Sequence, residues 1–269
     1  MIRGSQIRGF NIPKSLEVLK ATLFADDTTV YLAEEDDFGI LQRVLDTWCS
    51  AAKAKFNLRK TEIIPIGTKE YRKRVIDTYK ETGAWGNYPA GVHLAEEGEA
   101  VRILGAYFGN EAEQSKIWDP KIKKMEGVLE RWSLSPSTVI GKRHTTQMMV
   151  GGMSQFLANV QRMPATVTKK LMKMIRSHIW DGKKHVPVAM EHLYLPVEEG
   201  GLGVLDVEAR NEAIDVMWLK LYLSSGSERP LWAYAQKECS TADSAWKYPG
   251  TARNWWRSRQ TERATEMES

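Results

Sequence analysis

Three shortages in this sequence narrow what the chain can be. Cysteine is nearly absent: Cys49 and Cys239 are the only two in 269 residues, and neither sits in a CxxC or CxxH neighbourhood. A disulfide framework and a zinc knuckle are thereby excluded, and free thiols in a reducing compartment are the expectation. His178, His185 and His192 fall seven apart, but no cysteine joins them and Pro187 intervenes, which argues against a zinc site. Long apolar runs are missing as well. No stretch approaches the ~20 residues that span a bilayer, and Met1-Ile2-Arg3-Gly4-Ser5-Gln6 lacks the apolar core of a leader. The expectation is a chain with no membrane partner. Acid is scarce at the start, where Glu17 is the only carboxylate before Phe24.

What is present is ordinary globular material, 42% hydrophobic and 27% charged, with a net charge of +4. The charge is unevenly spread. From Lys116 to Lys184 there are fourteen basic residues against four acids, so the rest of the chain is net acidic. A segment both basic and amphipathic suits a surface laid along a phosphate backbone.

The sequence is organised around Ala21-Thr22-Leu23-Phe24-Ala25-Asp26-Asp27-Thr28-Thr29-Val30-Tyr31-Leu32, two β-prone runs joined through adjacent acids. The expected hairpin strands are 19–24 and 28–33, with Asp26 and Asp27 in the tight connection. Such a pair can ligate Mg²⁺, which binds through one or two carboxylates plus substrate phosphates. Asp-Asp is also a common turn sequence, and these letters alone leave both readings open.

Residues 6–11 suggest a further strand. Asp36 and Asp37 can cap a helix with Leu41, Val44, Leu45, Trp48 and Ala52 at helical spacing. A strand over 61–66, a charged helix over 68–80, a Gly- and Pro-rich excursion over 83–98 and strand character over 101–108 follow. After Lys116 the pattern is helical. One face carries Ile122, Met125, Val128, Leu129 and Trp132, a second Met148, Met149, Met153, Phe156, Leu157 and Val160, and a third Val167, Leu171, Met174, Ile175 and Ile179. Pro164 separates the second from the third. A last helix is expected over 207–223 with Ala213, Ile214, Met217, Trp218 and Leu221 inward. The methionine-rich stripe reads as adaptable packing, and Trp48, Trp132, Trp180 and Trp218 read as core. Trp255 and Trp256, flanked by Arg253 and Arg257, fit either core or base stacking. The fold class is α+β, in three parts: 1–112 mixed, 113–224 helical, and a poorly ordered tail over 225–269.

Phe24-Ala25-Asp26-Asp27 resembles motif C of reverse transcriptases. Phe56-Asn57-Leu58-Arg59-Lys60-Thr61-Glu62 resembles motif D of the non-LTR, LINE-type retrotransposon branch, and Val101-Arg102-Ile103-Leu104-Gly105 resembles its motif E. Leu193-Tyr194-Leu195-Pro196 with Gly200-Gly201-Leu202-Gly203-Val204 resembles a late C-terminal segment of the same proteins. The four matches are collinear and cover most of the chain. The resemblance implies the end of a polymerase palm followed by a thumb-like helical region, an intracellular protein, nuclear or cytoplasmic, and partners that are an RNA template and a DNA primer.

It also implies roles. Asp26 and Asp27 would be metal-binding catalytic acids for Mg²⁺, Lys60 a general acid toward pyrophosphate, and Arg102, Leu104 and Gly105 a primer grip. Arg59-Lys60 also reads as a solvated pair at a strand start, and 102–105 as an ordinary strand. Candidates for nucleic-acid contact are Lys121, Lys123, Lys124, Lys142, Arg143, Lys169, Lys170 and Lys173. The family's motif A aspartate and motif B have no counterpart here. The expectation is therefore a truncated, catalytically incomplete RNA-directed DNA polymerase in which Mg²⁺ binding is weak or absent. The alternatives are a non-catalytic nucleic-acid-binding helical module and a pseudogene product with neither function.

Overall fold

Two four-residue β-runs separated by a two-residue connection are placed to pair with each other, and they do. The structure, a computed structural model, describes residues 1–12, 18–82 and 92–234. Glu17, Cys239, Trp255, Trp256 and their flanking arginines, the stretch 83–91 and most of the expected tail lie outside the described residues. The chain divides into two compact units, one formed by Met1–Leu104 with the described residues from Leu221 onward, the other by Gly105–Lys220.

In the first unit, β1 (Phe10–Asn11) pairs antiparallel with β2 (Val18–Leu19), and β3 (Ala21–Phe24) pairs antiparallel with β4 (Asp27–Val30). The expected strand over 6–11 is reduced to two residues, and the strand over 19–24 is divided at Lys20. Helix α1 (Phe38–Ala52) starts at Asp37, whose side chain accepts from Gly39 N–H at 2.8 Å. Asp36 does something other than the expected capping. Its Oδ1 accepts from Arg8 N–H at 2.7 Å, and its Oδ2 from Gly9 and Ala33 N–H at 3.0 and 2.8 Å, so one carboxylate ties the residues just before β1 to those just after β4. Of the expected α1 stripe only Leu41 is fully buried; Trp48 is exposed and packs its ring against Phe56 at 5.4 Å. An aromatic pair that shields itself needs no core.

Strand β5 (Glu62–Ile63) runs parallel to β6 (His93–Leu94), and α2 (Lys69–Thr82) packs Val75 and Ile76 against Leu94. The crossover from β5 to β6 through a helix is the route a parallel pair requires. Arg72 of α2 is buried and held by Glu97, Nε to Oε1 at 2.5 Å and Nη2 to Oε2 at 3.0 Å, with Nη1 donating to Gly67 O. The expected strand over 101–108 is broken. β7 (Val101–Ile103) and β8 (Ala106–Phe108) flank a turn in which Leu104 and Gly105 both take positive φ, 50° and 84°.

The second unit is helical from α3 (Gln114–Ser133) onward. Ile117, Trp118, Ile122, Met125 and Leu129 of α3 are buried, whereas Trp132, near the C-terminal end of the helix, is exposed. α4 (Val139–Thr145) and α5 (Gly152–Gln161) are one helical run joined by a π turn over Thr146–Gly151. Leu157 of the expected stripe is buried and Met149, Met153 and Val160 are half-buried, and that turn explains why the rest of the stripe departs from the pattern. Thr146, Val150, Ser154 and Ala158 are buried at a spacing of four, which a helix of 3.6 residues per turn cannot hold to one side for long. The wider π turn restores the phase and leaves Met148 and Phe156 exposed. α6 (Ala165–Ile179) follows the sequence pattern, burying Val167, Leu171, Ile175 and Ile179.

Beyond α7 (Met190–Tyr194) the chain folds back on itself. Gly203 N–H donates to Leu195 O at 2.8 Å and Val204 N–H to Leu193 O at 2.9 Å. A Cβ on Gly201 would stand 2.0 Å from Leu195 O, so this return is possible only with glycine. α8 (Val207–Leu223) has the expected bounds but buries Val207 and Ile214, with Met217 and Leu221 exposed and Ala213 outward.

Candidate functional site

The two acids are set by a turn that strains one residue. Register pairs Phe24 with Asp27, leaving Ala25-Asp26 as the whole loop, and Ala25 takes φ of 52°. A positive φ at the first loop position is what a two-residue hairpin with right-handed strand twist requires. Asp26 therefore stands in the loop itself, and Asp27, expected there too, is instead the first residue of β4. Both are exposed, and neither side chain has a hydrogen bond or ion pair with the described residues. Leu23 and Phe24 on the same hairpin are each 67% exposed, so the tip carries apolar surface beside its carboxylates.

Two carboxylates one residue apart can serve one side of a divalent-ion site. Among the described residues no group of three or more His, Cys, Asp or Glu side chains is arranged to hold a metal. The acids present thus fit part of a Mg²⁺ coordination set, with phosphate oxygens and water left to complete it.

Lys60 ends a single 3-10 turn, Leu58–Lys60, whose N-cap Asn57 accepts from Arg59 N–H at 3.1 Å. Its side chain is exposed, with no partner among the described residues. Arg102 is exposed on β7. Leu104 is exposed at the turn, and Gly105 lies where a Cβ would come within 3.1 Å of the Phe156 ring. Gln161 closes this region within the second unit: its side-chain amide accepts from Tyr107 N–H at 2.8 Å and donates to Tyr107 O at 2.6 Å.

The eight basic candidates separate into three groups. Lys142 is not a surface group: it is 6% exposed, and its Nζ is 2.5 Å from Asp181 Oδ1 and 3.5 Å from Ile179 O. That pairing holds the Asp181 carboxyl below its usual range, chiefly through the Lys142 hydrogen bond. Burial first and the Lys142 charge second push the neighbouring His178 ring down, and its Nε2 lies 2.8 Å from Thr145 Oγ1. Sequence reading missed this cluster because a lysine beside an arginine looks solvated. Arg143 is half-buried, its Nε donating to Gly203 O at 3.2 Å, so it braces the returning segment. The other six reach solvent.

Of these six, Lys121, Lys123 and Lys124 share α3 with Asp119, Glu126 and Glu130, giving a mixed surface. The outer side of α6 is different. Lys169, Lys170 and Lys173 are exposed together with Arg176, and the helix contains no acid. Only Lys170 meets a carboxylate, Asp119, at 3.8 Å, among the described residues. The stripe 169, 173, 176 lies on one side of the helix, opposite Leu171, Ile175 and Ile179.

No helix among the described residues is long and apolar enough to cross a membrane. Neither the scan of protein families nor the search of curated proteins yields a match for this chain.

Proposed function

We propose that this chain is the C-terminal part of a reverse transcriptase of the non-LTR type, the end of a palm followed by a thumb, and that by itself it is catalytically incomplete. The observation that carries the reading is the hairpin tip, where Asp26 stands in a two-residue turn strained at Ala25 and Asp27 opens β4, both exposed and available to a ligand rather than spent on the fold. The four collinear motif resemblances support it. In nucleotidyl transfer, Mg²⁺ held by such acids and by phosphate oxygens supplies charge neutralisation at the reacting phosphate. What the chain's own residues contribute is one side of that site, Asp26 and Asp27, and the exposed ammonium of Lys60. A further acid on a neighbouring strand is what the reaction needs, and the sequence before Phe24 offers only Glu17.

Primer extension with Mg²⁺ and deoxynucleotides tests the incompleteness: no incorporation is expected, and incorporation lost on Asp26→Ala overturns it. A second readout needs no turnover. Mn²⁺ should broaden the NMR signals of residues 24–28 selectively, and less so in Asp26→Asn with Asp27→Asn; broadening spread evenly over surface carboxylates would remove the metal-holding role.

The second reading is a nucleic-acid-binding helical module without chemistry. It is favoured by the acid-free outer side of α6, since phosphate contacts are electrostatic and need no intact catalytic centre.

A further inference from the structure

We propose that His93 is a pH-operated clasp in the first unit, closed when its ring is doubly protonated between Glu62 and Glu99 and loosened when the ring becomes neutral. Glu62 and His93 are partners in the parallel β5–β6 register, and His93 Nδ1 meets Glu62 Oε2. On the opposite edge of the ring, Nε2 lies 3.1 Å from Glu99 Oε1, while Glu99 Oε2 accepts from Glu96 N–H at 3.0 Å. Both ring nitrogens therefore face carboxylates. Only imidazolium donates to both; a neutral ring has one N–H and turns a lone pair toward the other oxygen.

The surroundings make the loss of that proton consequential. Glu62 comes from β5, and Glu96 and Glu99 from the turn after β6. From α2, Tyr79 and Ile76 line the same open cleft as Val92, His93 and Leu94, and the α2 cation Arg72 is committed to Glu97. With the ring neutral, three carboxylates are left around it. The Glu62 hydrogen bond foremost holds the ring's protonation above its ordinary range; burial opposes this, and the charges of Glu62, Glu99 and Glu96 reinforce it.

What the clasp fastens is short. β5 and β6 share two residue pairs, extended by Ala95 N–H donating to Ile63 O at 2.8 Å, and Leu94 covers Val75 and Ile76. A ladder of that length depends on its side-chain ties. The group's affinity for its proton is higher folded than unfolded, so its contribution is complete below the unfolded value of about 6.5 and is lost as pH rises through the folded value.

The test is NMR on the full chain from pH 6 to 9, following the His93 ring and the exchange protection of the Leu94 and Ala95 amides, corrected for intrinsic exchange. The ring should titrate above about 6.5, and protection should fall about two- to fivefold with the same midpoint, a modest change because these groups are partly exposed. His93→Gln should flatten the profile. Glu99→Gln, which keeps the Glu62 contact, should lower the ring's midpoint and serves if the first variant does not fold. A ring that titrates at or below the ordinary value, protection that does not track it, the same fall in His93→Gln, or an unmoved midpoint in Glu99→Gln would each overturn the proposal.

Discussion

At the scale of single residues, several charged side chains that a composition count would assign to the surface are spent on the fold. Asp36 is the clearest. Burial opposes its charge, yet three backbone N–H donors and the nearby Arg8 hold its carboxyl below the usual range. Asp36→Asn keeps the shape but turns an amide NH₂ toward at least one of those donors. It should cost about 2 kcal/mol in urea unfolding at neutral pH. The native advantage is present above the ordinary carboxylate value of about 3.9 and is lost as pH falls through the depressed folded value, so the gap between the two proteins should narrow in acid. A gap independent of pH would mean that the ionised form is not what the three donors hold.

At the scale of elements, legibility in the sequence followed how far one periodicity ran undisturbed. α6 reads directly, because its apolar positions keep helical spacing from Val167 to Ile179 and its other side is all polar. The β3–β4 hairpin was visible in its two β-prone runs, although its strands are shorter than expected and Asp27 lies in β4 rather than in the turn. α8 kept its bounds, but of its expected inward residues only Ile214 is fully buried, since apolar residues surround the helix nearly all the way round and give no preferred side. The α4–α5 run misled because a π turn has no signature in a hydrophobic pattern read at a fixed period. Lys142 misled because pairing with Asp181, thirty-nine residues later, is invisible locally. The Gly200-Gly201 return is a case where letters and geometry agree: Gly201→Ala should destabilise the second unit by about 2 kcal/mol or more, as a Cβ cannot occupy the space of a backbone oxygen. Thermal unfolding of the variant within a degree of the parent would show that the segment can re-route.

At the scale of the whole molecule, the uneven charge is a statement about partners more than about folding. If the outer side of α6 meets a phosphate backbone, up to four contacts from Lys169, Lys170, Lys173 and Arg176 are available. The logarithm of affinity for duplex should then fall with log salt at a slope of at most about 3 to 4. Replacing Lys169 and Lys173 together by Glu should flatten that slope by more than replacing Lys123 and Lys124, whose helix already carries acids. Salt-indifferent affinity, or equal effects from both pairs, would return α6 to the status of a solvated face.

The π turn also changes which lesions the helical unit should tolerate. Removing the exposed Met148 would shorten the step from Thr146 to Val150 from four residues to three and so draw the buried residues from Lys142 to Ala158 into a narrower stripe on an uninterrupted α-helix. The run from Val139 to Gln161 therefore holds one surplus amino acid, absorbed as a bulge. Excising Met148 should therefore leave the helical unit folded, whereas an excision within α6 should turn lysines inward.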